Sequence, residues 1–120
     1  MAFIADTVFD NGLTTLDTNG TRLDICSTEP TTYAEATSTL TLGNATVNTG
    51  APTNGAVDGR RVIVPAITSG TVTGTGTAAF WALTNGSTTL YATGALSASQ
   101  VVTSGNTFSL DAVSITIRDV

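Results

Sequence analysis

One dipeptide constrains this chain more than any other feature. Asn85-Gly86 lies between Ala78–Thr84 and Ser87–Thr93, two runs rich in β-branched and aromatic residues. An Asn-Gly pair between such runs predicts a hairpin closed by a two-residue type I′ turn. That turn fixes the register, because a slip of one residue reverses every side chain. Residue 84 would then face 87, Trp81 would face Leu90 and Phe80 would face Tyr91. Ala79, Trp81, Leu83, Thr88, Leu90 and Ala92 form the expected core face. The opposite face is small and weakly polar, with Phe80 and Tyr91 as a cross-strand aromatic pair.

Other segments read the same way. Thr21–Ser27 is an expected strand with Leu23 and Ile25 on one face and Arg22, Asp24 and Cys26 on the other. Further strands are expected near Ser38–Leu42, at Arg60–Ile67, where Pro65 marks an edge or a bulge, and at Gly70–Gly76. Gln100–Thr103 and Thr107–Ile117 suggest a second hairpin around Ser104-Gly105-Asn106. In the last strand Phe108 and Leu110 share one parity while Val113, Ile115 and Ile117 share the other. That phase change predicts a β-bulge near Asp111-Ala112. Residues 29–59, punctuated by Gly and Pro, read as a long connection of the kind that carries function or reaches a neighbour.

Only the start of the chain reads as helix. Over residues 1–19, Ile4, Val8, Phe9, Leu13 and Leu16 make an amphipathic stripe, and Asn19-Gly20 predicts a left-handed stop. The 120 residues suit a single domain, residues 1–120. The expected fold is mostly β: a β-sandwich or barrel-like domain over 20–120 with a short N-terminal α-helix. Thr is the commonest residue, and its branched side chain fits a pleated surface.

Charge narrows function. The chain has no Lys and no His; Arg22, Arg60, Arg61 and Arg118 stand against nine carboxylates, for a net charge of −5. Nucleic-acid binding needs clustered positive charge, and Arg60-Arg61 is too small a cluster. Anionic membranes are equally poor partners, and no run approaches the roughly 18 apolar residues of a membrane span. No signal peptide is expected, since Asp6 and Asp10 interrupt the first apolar residues.

Without His or Lys, Ser-His-Asp, Cys-His and Schiff-base arrangements are unavailable. A zinc site needs more than the single Cys26, which reads as a small buried hydrophobe. Glu29 and Glu35 are the nearest approach to a glycosidase pair, but both lie beside Pro30 in a loop without a scaffold. Asp17-Thr18-Asn19-Gly20 lacks the spacing of a calcium loop and reads as a helix stop. Gly74-Thr75-Gly76 lacks the Lys and helix of a phosphate cradle. The sequons at Asn19, Asn44 and Asn85 arise readily in a chain so rich in Asn and Thr. The expectation is therefore a non-enzyme without metal or cofactor. Arg60 and Arg61 are candidates for an acidic partner surface, or a solvated strand entrance after Asp58-Gly59. Phe80 and Tyr91 are candidates for a sugar-stacking platform or an interface, or are covered by the N-terminal helix.

The segments MAFIADTVFDNGL, NGTRLDICSTEPTTYAEATSTLTLG, GTGTAAFWALTNGSTTLYATGAL and VVTSGNTFSL together resemble a family of small tailed-bacteriophage virion proteins. The resemblance rests on the N-terminal helix, the aromatic hairpin and a stretch made here of Cys26, Ser27, Pro30, Tyr33, Glu35 and Ala36. It implies a head decoration (cement) protein with no catalytic motif. Such a protein binds the major capsid protein on the outer surface of the shell as a homo-oligomer, trimers above all. Tyr33, Glu35, Arg60 and Arg61 would then be contact residues, with Phe80 and Tyr91 as further interface candidates. Two other expectations are a carbohydrate-binding module of a head or tail fibre, using Phe80, Tyr91 or Tyr33, and a tail or connector component.

Overall fold

A computed structural model describes residues 6–55 and 59–117. Ile4, Asp58 and Arg118, which figure in the expectations above, lie outside the described residues. The chain folds as α1 (Asp6–Asn19), β1 (Arg22–Cys26), a π-helical turn (Glu35–Thr39), β2 (Thr41–Thr46), β3 (Thr53–Asn54), β4 (Arg60–Val64), β5 (Ile67–Val72), β6 (Gly76–Thr84), β7 (Leu90–Val102), β8 (Thr107–Leu110) and β9 (Val113–Ile117). The fold is mostly β, as expected, with one short N-terminal helix and a curled, half-barrel sheet. That sheet has six strands in the order β7-β6-β1-β2-β5-β8, and a smaller one has the order β3-β4-β9.

One ribbon builds both sheets. β4 pairs with β9 up to Val64↔Val113, and β5 pairs with β8 from Ile67↔Leu110. Two residues are passed on each strand, so the register runs straight across the break. Pro65-Ala66 lies opposite Asp111-Ala112 there. Proline has no N–H to give the ladder, so the ribbon bends and changes sheet at that point. No bulge forms at 111–112, since both strands pass the same number of residues; the phase change expected there falls at this break. The single strand expected over Arg60–Ile67 is two strands in different sheets; of the strand expected at Gly70–Gly76 only residues 70–72 lie in β5, and the chain leaves the strand before β6 starts at Gly76.

The core lies inside the curl. Leu23 and Ile25 of β1, Val64, Val72, Trp81, Leu83, Val102 and Phe108 are buried together there. The expected faces of β1 hold, with Asp24 and Cys26 on the other side. α1 packs on β4 through a narrower stripe than expected: Phe9 and Leu13 are buried, Leu16 is half-buried, and Val8 is 62% exposed. Spacings of four and three keep 9, 13 and 16 on one face, and Val8 falls about 100° away from it. Gly20 follows the helix without a left-handed φ. Its need is space instead, because a Cβ there would sit 2.6 Å from the Leu16 carbonyl and 3.0 Å from the Leu83 side chain.

The β6–β7 hairpin forms, but not with the expected turn. Among the described residues no non-glycine has positive φ, Asn85 included, and type I′ requires positive φ at both central positions. The loop spans 85–89. The Asn85 side-chain oxygen accepts from the N–H groups of Ser87, Thr88 and Thr89 at 2.8–3.0 Å, and Asn85 N–H donates to the Thr89 carbonyl. The longer loop moves the register: Trp81 pairs with Gly94, Leu83 with Ala92, and Phe80 with Ala95. Trp81 remains on the core face, since the move is by an even number. A further shift between Leu83 and Thr84 turns Leu90 to the opposite face. The second expected hairpin does not form. β8 pairs with β5, and its turn is anchored there by Val72 N–H to Asn106 O and Gly105 N–H to Val72 O.

Two aromatic rings lie flat on glycines of the paired strand. Trp81 covers Gly94, and Phe108 covers Gly70 and reaches Gly43. This is how an aromatic offsets a glycine's missing side chain in a sheet. A Cβ at Gly70 would stand 2.2 Å from the Phe108 ring. Gly70→Ala should therefore lower stability by about 3 kcal/mol through overpacking. Gly74→Ala, whose Cβ would find nothing nearer than 3.5 Å, should change it by less than about 0.5 kcal/mol. Urea unfolding of the two variants checks the contrast.

Candidate interaction surface

Behind the core, on the other face of β1, Cys26, Ala36 and Ala82 are buried with Leu40, Phe80 and Leu90 half-buried around them. Of the strand expected near Ser38–Leu42, Thr41 and Leu42 begin β2, while Glu35–Thr39 covers this cluster as a π-helical turn. Thr and Ser in that run favour strand, but burying Ala36 against Cys26 outweighs them. The Cys26 thiol donates to the Ala36 carbonyl at 3.7 Å, and Leu40 N–H closes the turn on Glu35 O at 2.9 Å.

Glu35 caps this turn. Its carboxylate accepts from the Thr31 N–H (2.9 Å) and hydroxyl (2.7 Å), while its own N–H donates to the Thr32 hydroxyl. These bonds, the Thr31 hydroxyl first, pull its pKa below the ordinary glutamate value. Tyr33 is half-buried, and its carbonyl accepts from the Thr37 hydroxyl. The fully buried Asp24 is bound by the Arg22 guanidinium (2.8 and 3.1 Å) and the Thr41 hydroxyl (2.7 Å). The hydrogen bond to Asp24 raises the Arg22 pKa. Burial, with a smaller contribution from Asp24, pushes the Cys26 thiol up to about 12.

The two neighbouring arginines part company. Arg60 binds Asp10 of α1 through two nitrogens (2.8 and 3.2 Å), Asn54 (2.7 Å) and the Pro52 carbonyl (3.3 Å). It holds the helix to β4 and β3. Alternation sends Arg61 to the other side of the small sheet, away from α1. There its Nε is buried without a hydrogen-bond partner. Phe80 and Tyr91 do not form the expected pair: Phe80 lies opposite Ala95, four residues along β7 from Tyr91. Phe80 is covered by the π-helical segment and not by α1, which packs on β4. No flat two-ring platform results.

Of three cavities that open among the described residues, none is lined by Tyr33, Glu35, Arg60, Arg61, Phe80 or Tyr91. The largest, about 530 Å³, lies between β2 and β5. The others, about 330 and 190 Å³, lie along the seam where the curl brings edge strands β7 and β8 near each other. A bulge at residues 96–99 of β7 fills part of that seam, and Gln100 Nε2 crosses it to the Ser109 carbonyl at 2.9 Å. The sequence signal for the largest cavity was Pro65, which marks where β5 begins to part from its neighbour. Among the described residues no group of three or more His, Cys, Asp or Glu side chains is assembled, and no helix is long and apolar enough to cross a membrane. Comparison with protein-family models, curated proteins and solved structures finds no match.

Two tests follow from this geometry. Cys26 should resist Ellman's reagent at pH 8 in the folded protein and react fully in denaturant; fast reaction in the native state would contradict its burial. For Glu35, the folded pKa lies below the unfolded one. Its bonds therefore stabilise the turn fully above about pH 4.3 and are lost as pH falls through the lower folded value. The Thr31 amide resonance should follow that titration, with a midpoint below the ordinary glutamate value.

Proposed function

We propose that this chain is a structural, non-catalytic virion protein that binds the outer surface of a phage capsid and stabilises the assembled shell. It does so as a homo-oligomer, a trimer for preference, seated on the major capsid protein. The observation that carries this reading is the disposition of positive charge. Of the described arginines, Arg22 is bound to Asp24 and Arg60 to Asp10. Arg61 alone presents a guanidinium with a buried, unpartnered Nε. The chain as a whole carries a net charge of −5. Such a chain is repelled by packaged DNA and suits the exterior of a shell. It leaves one cation for an acidic group on the lattice. Binding to the assembled shell and not to free subunits stabilises the shell by mass action.

The resemblance in sequence to small virion proteins supports the same reading. The carbohydrate-binding alternative loses its best feature, since Phe80 and Tyr91 are not adjacent. The test is to image shells mixed with purified protein and to count copies. Occupancy across the lattice is expected; a few copies at one vertex, or none, would overturn the proposal. Arg61→Ala should lower occupancy about tenfold without changing Tm. Arg60→Ala should instead cost about 1 kcal/mol of stability by releasing α1.

A further inference from the structure

β2 and β5 are neighbours in the six-stranded sheet, yet they pair at only two positions, Gly43↔Val72 and Asn44↔Thr71. At Gly43 the strands touch closely, for an added Cβ would lie 2.6 Å from the Thr71 carbonyl. Beyond Asn44 they part. Continued in register, the ladder would join Ala45–Asn48 to Ile67–Gly70. Those stretches instead line the cavity of about 530 Å³, which runs on to Pro65 and Ala66. The divergence has a cause. β5 starts at the proline break and carries a register shift against β8 between Ile67 and Gly70.

The walls of this wedge are strand edges. Main-chain groups of successive strand residues point to alternate sides. Val47 N–H donates to Thr21 O, on the β1 side. Thr46, the last residue of β2, therefore turns its main-chain groups toward the wedge. Val47 and Ile67, each 8% exposed, belong to the core and form the floor. Thr46, Asn48, Thr68 and Ser69 are exposed at the rim. No charged and no aromatic side chain lines the cavity. A sugar site would want a stacking ring, and a charged ligand would want a counter-charge. Main-chain edges, an apolar floor and hydroxyls at the rim suit a polypeptide strand.

We infer that the wedge between β2 and β5 accepts an extended, uncharged segment of a partner polypeptide as an added strand. Alternate residues of that segment point to Val47 and Ile67 and are apolar; the others meet the Thr and Ser rim. The inference is independent of the shell reading, since it concerns any partner with such a segment.

The probe is a capped pentapeptide, Val-Ser-Ile-Thr-Ile, which has this alternation. Titrated to millimolar concentration into the ¹⁵N-labelled full chain, it should shift the amides of Thr46, Asn48 and Ser69 and slow their hydrogen exchange. Ser69→Trp, a plug at the exposed rim, should weaken the effect at least tenfold with Tm unchanged. Asn48→Trp on the opposite wall provides the same block if the first variant is unstable. A capped Val-Asp-Ile-Asp-Ile should leave the amides unmoved. The inference is overturned if the first peptide produces no shifts at these amides, if the shifts survive both plugs, or if maltoheptaose reproduces them. Failure to bind shells would overturn the proposed function and leave this result standing.

Discussion

Much of the architecture depends on one missing hydrogen-bond donor. Pro65 cannot supply an N–H to the ladder, so the long ribbon of β4–β5 against β8–β9 is interrupted there. Because Val64↔Val113 and Ile67↔Leu110 keep one register, the interruption bends the ribbon without disordering it. One arm becomes the small sheet under α1, and the other closes one side of the curled sheet. The small sheet can then present Val62 and Val64 as buried positions, while Arg60 reaches α1. The same bend starts β5 off at an angle to β2, which is why the largest cavity lies where it does.

The parts of this fold that were legible in the sequence are those set by local periodicity and by residues with a hard steric rule. The two faces of β1, the break at Pro65 and the phase change at Asp111-Ala112 are of this kind. So is the stripe of Phe9, Leu13 and Leu16. What was not legible depended on partners distant in sequence. Asn85-Gly86 predicts a tight turn from its own preferences, yet the Asn85 side chain captures three N–H groups and holds a longer loop. The strand expected from Ser38 begins only at Thr41, because a small cluster around Cys26 and Ala82 recruits Ala36 and sets a π-helical turn over Glu35–Thr39. β8 faces β5 because Phe108 packs flat on Gly70 and against Gly43, two glycines that carry no periodic signal.

The candidate surface residues divide for the same reason. Glu35, Arg60 and Phe80 are polar or aromatic residues in suggestive places, and each has an internal partner: Thr31, Asp10 and the Cys26 cluster, respectively. Sequence alone does not separate a charge that faces a partner from one that fastens two elements. Arg60 and Arg61 are adjacent and chemically identical, and strand alternation alone puts them on opposite sides of the small sheet.

A curled sheet that stops short of a barrel has edges to manage, and this chain manages them unequally. At the β7–β8 seam the bulge at residues 96–99 pushes backbone into the gap, and Gln100 ties the two edges together. Bulges of this kind are a common way to keep a strand edge from recruiting another chain. At the wedge between β2 and β5 the register shift of β5 falls on its pairing with β8; no bridging side-chain bond spans the wedge among the hydrogen bonds of the described residues, and no charge guards its walls. Charge is also the cheapest protection an edge can have, and two of the three described arginines are held in internal pairs. An edge left open in the middle of a sheet, over an apolar floor, is the place where a second polypeptide gains main-chain hydrogen bonds and buried area together. Association is thus favoured by the same break that shapes the fold.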